Sequence, residues 1–70
     1  MTLYFERSNG ERVYISNAQS RDEAVSLIYE DLHMRNPNFK VYYMRSWRNE
    51  SNEEIFDIGS WAEYYILTYN

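Results

Sequence analysis

One helical segment, opened at Ser20 and closed before Pro37, divides this chain into two parts whose apolar residues recur with the period of a strand. Ser20-Arg21-Asp22-Glu23 matches a capping box, in which the Ser20 hydroxyl accepts from the Glu23 amide and Glu23 reaches back. Asp22 and Glu23 also suit the positive end of a helix dipole. Ala24, Val25, Ile28 and Leu32 fall on one stripe, with Leu27 and Tyr29 at its edges. Arg35 sits near the C-terminal end, Asn36 can close the helix, and Pro37 forbids its continuation. The pattern predicts a helix from about Arg21 to Met34.

Before the helix, Leu3 to Ile15 reads as two strands around Asn9-Gly10. A two-residue turn would set Glu6 opposite Val13 and split the apolar residues between two faces. A three-residue loop, Ser8-Asn9-Gly10, instead pairs Phe5 with Val13 and Leu3 with Ile15. It also pairs Glu6 with Arg12 and Tyr4 with Tyr14 on the outer face. Only the second register buries four apolar residues together, since a one-residue slip reverses the faces. It implies a type I turn with Gly10 in the left-handed position.

After the helix the period is two from Phe39 onward. Phe39, Val41, Tyr43 and Trp47 line one face, with Lys40, Tyr42, Met44, Ser46 and Arg48 on the other. Asn49 to Glu53 is a polar turn, and Ile55 to Ile58 is a short strand with Phe56 and Ile58 on one face. Gly59-Ser60 breaks it, Trp61 lies in a connection, and Tyr64 to Tyr69 forms a last strand. The expected fold is α+β, a single domain over residues 1–70. Its elements run ββαβββ in a mostly antiparallel sheet of order 2-1-3-4-5, with one helix packed on one face. One helix cannot cover both faces of such a sheet.

Seventy residues bury only about 60% of their unfolded surface, and this chain has no Cys to staple it. Eight Tyr, three Phe and two Trp must supply the packing instead, at about 150–250 Å² each. A net charge of −4 disfavours non-specific binding to phosphate backbones. No apolar run is long enough to cross a membrane. The first residues lack a basic stretch followed by an apolar one, so a cytoplasmic protein is expected. Asn49-Glu50-Ser51 matches a glycosylation sequon, without meaning in that compartment.

No catalytic, metal or cofactor motif emerges. His33, the one imidazole, has no Ser and Asp partners at recognisable spacing and reads as a surface residue. Glu50, Glu53, Glu54 and Asp57 lack the dense, Gly-punctuated spacing of a calcium loop and read as a solvated turn. Gly10 and Gly59 are the only glycines, too few for a phosphate-cradling loop. What stands out is an aromatic surplus. Once the helix-facing set is filled, Tyr4, Tyr14, Tyr42, Met44, Tyr64 and Ile66 are left pointing the other way. Cross-strand packing explains such residues in part. Protein binding explains them equally, because Tyr, Trp, Met and Arg are the types enriched in interfaces. The partner would be a host or phage protein, or a second copy in a homodimer. The alternative is a nucleic-acid-binding sheet using Arg45, Trp47 and Arg48 beside Tyr42. It lacks the aromatic signature of RNA-binding sheets, and its net charge is unfavourable.

The stretch Asp57-Ile58-Gly59-Ser60-Trp61-Ala62-Glu63-Tyr64-Tyr65, with the opening Leu3-Tyr4-Phe5-Glu6 and Asn9-Gly10-Glu11, resembles small uncharacterised proteins encoded by phages and prophages of Gram-positive bacteria. The resemblance spans most of the chain and implies a phage accessory protein. It carries no catalytic residues, and it favours protein binding.

Overall fold

Two apolar residues alternating with polar ones start the sheet. In the computed structural model, which describes every residue except Tyr42, Trp61 and Asn70, Leu3 and Phe5 of β1 (Thr2–Glu6) are buried. β2 (Arg12–Asn17) returns antiparallel to it, with Phe5 opposite Val13, Tyr4 opposite Tyr14 and Glu6 opposite Arg12. The turn between them closes through Gly10 N–H donating to the Arg7 carbonyl at 2.8 Å, with Gly10 at φ +89°. This is the three-residue loop. One detail differs from the expected register: Leu3 faces Ser16, because Ile15 is the extra residue of a bulge.

The helix α1 spans Arg21–Arg35. Ser20 is its N-cap, accepting from the Glu23 amide at 3.1 Å, and the Asn36 amide closes it on the Leu32 carbonyl at 2.9 Å. Ala24, Ile28 and Leu32 are buried and share one apolar cluster with Leu3, Phe5, Phe56, Ile58, Tyr65 and Leu67. Two polar pins join α1 to the strands. Near its start, Arg21 grips Glu54; further along, Asp31 accepts from the hydroxyl of the buried Tyr65 at 2.7 Å.

Three strands complete the antiparallel sheet: β3 (Arg45–Arg48), β4 (Glu53–Asp57) and β5 (Tyr64–Thr68). The order is β2-β1-β5-β4-β3, which corrects the expected 2-1-3-4-5. β5, not β3, lies beside β1, with Leu3 opposite Leu67 and Phe5 opposite Tyr65. The physical reason is burial. Tyr65-Ile66-Leu67 is a continuous apolar run buried on both faces, which suits a central strand. Arg45-Ser46-Trp47-Arg48 is exposed throughout and suits an edge.

A second correction concerns residues 39–44. The described residues of this stretch form no regular strand, so a period of two does not assign their faces. Phe39 and Val41 pack against the buried cluster as expected, but Tyr43 is 50% exposed and Met44 packs against the cluster. The placements of Tyr43 and Met44 are therefore the reverse of the expected ones, and Trp47, expected beside Phe39, is 46% exposed and paired with Ile55. Tyr42 lies outside the described residues.

Candidate protein-binding face

Strand pairing lines up one residue from each strand on the face turned away from the buried cluster. Tyr14, Tyr4, Ile66, Ile55 and Trp47 are successive cross-strand partners from β2 to β3. They alternate along their strands with the residues of the buried cluster, so they point away from it. Beside this row runs a second one: Arg12, Glu6, Tyr64, Asp57 and Arg45. The aromatic rings meet edge to face, Tyr4 with Tyr14 and Trp47 with Tyr64, both at 6.2 Å between centroids. Such pairs contribute about 0.5–1.5 kcal/mol beyond their buried area.

The face is not bare. The Arg12 guanidinium bonds Glu6 of β1 at 3.1 Å and Glu53 of β4 at 2.7 Å. In the sheet order β1 and β5 both lie between β2 and β4, so the ion pair with Glu53 joins strands three places apart. Twist of the sheet draws the two corners together and makes that span possible. Ile66 of β5, expected as an exposed contact residue, is 1% exposed, which corrects that expectation. What remains accessible is the two ends of the row: Tyr14 at 58% and Trp47 at 46% exposure. Tyr4 and Tyr64 are half-buried between them.

Charges on this face are paired. Hydrogen bonds from Arg12, then from Asn49, hold the Glu53 carboxyl below its ordinary range. Arg45 does the same for Asp57 at 2.7 Å, helped by the Gly59 amide. The arrangement offers aromatic edges set among neutralised ion pairs.

No family model, curated protein or solved structure matches this chain.

The geometry also separates the residues of the nucleic-acid alternative. Arg45 and Trp47 lie on the outer face. Arg48 pairs with Glu54, whose side chain lies on the α1 side, and its guanidinium stacks over Tyr69 at 3.7 Å. These three do not form one patch. His33 is exposed, and among the described residues no group of three or more His, Cys, Asp or Glu gathers for a metal. No helix among the described residues is long and apolar enough to cross a membrane.

Sequence reasoning missed Ile55 and the contact from Arg12 to Glu53. Ile55 had a signal: it alternates with Phe56, an obvious core residue. The contact had none, because Arg12 and Glu53 are 41 residues apart and meet only in the folded sheet.

Proposed function

We propose that this chain is a non-catalytic accessory protein of phage type that acts by protein–protein binding through its outer sheet face. The supporting observation is the row Tyr14–Tyr4–Ile66–Ile55–Trp47, which crosses all five strands and ends in two exposed aromatics. The reading takes α1 as the cover of one face and gives the other to a partner. Exposed Tyr and Trp beside Arg are the usual anchors of interfaces, and paired charges around them fit the polar rim such anchors need. The partner is a host protein, a phage protein or a second copy of the chain, met in the cytoplasm. Binding to a second copy would use the same face of each across a two-fold axis.

The reading is tested with the pair Tyr14→Lys and Trp47→Glu, which lie outside the buried cluster. Light scattering reports self-association, and co-purification from host and infected-host lysates reports other partners. The expected result is association by the parent protein that the double variant loses, with an unchanged circular dichroism spectrum. A variant that associates as well as the parent would refute the face.

A further inference from the structure

A cleft of about 680 Å³ opens at the end of the molecule where the first hairpin turn, the C-terminal end of α1 and the segment after β4 converge. Its size is that of a small-ligand pocket. Phe5, Leu32 and Ile58, all buried, give it an apolar floor. Arg7 and Arg35 stand in its wall, with Ser60 and Glu63 as further polar lining.

Arg35 is built for recognition of an anion. Its guanidinium lies over the Phe5 ring at 4.1 Å from the centroid. Its Nε donates to Asp31 at 2.5 Å, and Asp31 is itself held by the Tyr65 hydroxyl. Stacking and this anchor fix the plane of the fork. Its Nε carries the hydrogen bond to Asp31, and the Tyr65 hydroxyl lies beside the same guanidinium, so both hold it from the Asp31 side. A planar guanidinium held by one edge matches a carboxylate presented to the other. Arg7 adds a second positive charge, more loosely held by Glu11 at 3.4 Å. Glu63 accepts from the Ser60 hydroxyl at 2.7 Å and keeps acceptor capacity for an N–H group.

We infer that this cleft binds an organic carboxylate carried on an apolar body, with Arg35 as the carboxylate anchor and Phe5, Leu32 and Ile58 as the seat of the apolar part. Two sources share that chemistry, a free small acid and the C-terminal carboxylate of a peptide. This site lies apart from the outer sheet face and does not depend on the function proposed for it.

The experiment is a titration followed by backbone amide NMR shifts. The probes are phenylacetate, 2-phenylethanol, and the free-acid and amide forms of N-acetyl-Leu-Phe. Saturable shifts are expected around Phe5, Arg7, Leu32, Arg35 and Ser60 with phenylacetate or the peptide acid. The uncharged counterparts should bind at least tenfold more weakly. A response to the peptide acid alone identifies a chain end as the source, and a response to both acids a general acid site. Arg35→Lys, which keeps the charge and loses the fork, should weaken binding about tenfold. Arg7→Gln, remote from Asp31 and Tyr65, should weaken it less, and Trp47→Glu on the other face should leave it unchanged. Equal binding of phenylacetate and 2-phenylethanol, shifts mapping outside the cleft, or no saturable shift with either acid would overturn the assignment.

Discussion

Arg21 and Glu54 meet through a two-pronged contact, Nε to Oε1 at 2.9 Å and Nη2 to Oε2 at 2.8 Å, that fastens the first turn of α1 to β4. Glu54 is buried, and its remaining acceptor capacity is taken by the hydroxyls of Ser46 at 2.5 Å and Tyr69 at 2.6 Å. The Arg21 hydrogen bonds, opposed by burial and aided by Ser46 and Tyr69, lower the Glu54 carboxyl from 4.5 to about 2. A depressed carboxyl stabilises the fold above its unfolded value and loses that contribution as pH falls through the folded one. Stability should therefore drop by about 2–3 kcal/mol from this group between pH 4.5 and 2. Urea denaturation at pH 7, 4.5 and 2.5 checks it. Glu54→Gln should flatten the slope in that window, and an unchanged slope would remove Glu54 as its source.

Arg12 holds two carboxylates, Glu6 and Glu53, on the outer face. Its ion pairs are over a third exposed on the Arg side, so the Coulomb part is small. The Arg12 side chain is only 37% exposed, so packing of its apolar stem accounts for more. Arg12→Ala should cost about 1–2 kcal/mol, while Arg12→Met, which keeps an apolar stem, should recover at least half of that. If both variants lose the same stability in denaturant titration, the charge is the larger part.

Gly10 has a positive φ and open space around it, with nothing within 4 Å of where a Cβ would sit. Gly10→Ala should therefore destabilise through backbone strain alone, by about 1 kcal/mol. Gly10→Asn should lose less, because Asn tolerates the left-handed region. Thermal melts of the two variants provide the comparison.

At the helix, Ser20→Ala removes the N-cap acceptor and should cost about 0.5–2 kcal/mol. Ile28→Ala empties a fully buried position and should cost about 2–5 kcal/mol. An Ile28→Ala variant within 1 kcal/mol of the parent in chemical denaturation would contradict its place in the core.

Local chemistry was readable wherever a residue type has one strong conformational reason. Ser20 before Glu23, Pro37 after Asn36, and Gly10 after Asn9 each announced their positions. Phe5 opposite Val13 followed from requiring four apolar residues on one face. The order of the sheet was also written in the chain, in the contrast between Tyr65-Ile66-Leu67 and Arg45-Ser46-Trp47-Arg48. The expected order 2-1-3-4-5 put β3 beside β1 and passed over that contrast. Alternation misled between Phe39 and Met44 because a period of two has no meaning where the backbone is not a strand. For the candidate face, Tyr4, Tyr14 and Tyr64 came from parity within well-formed strands. The burial of Ile66 did not, since it depends on β5 being the central strand, between β1 and β4.

The position of β5 has a consequence for how the chain reaches this state. β1 with β2, and β3 with β4, are local hairpins that can zip within a short stretch of chain. They are joined only through β5, whose pairing with β1 links residues as far apart as Thr2 and Thr68. Closing so long a loop is slow relative to hairpin formation. On the ribosome the two hairpins have to wait, with their inner edges open, until Thr68 has cleared the exit tunnel. During that wait Leu3, Phe5 and Phe56 lack their final neighbours, and this is the period in which the nascent protein is most prone to pair with another chain.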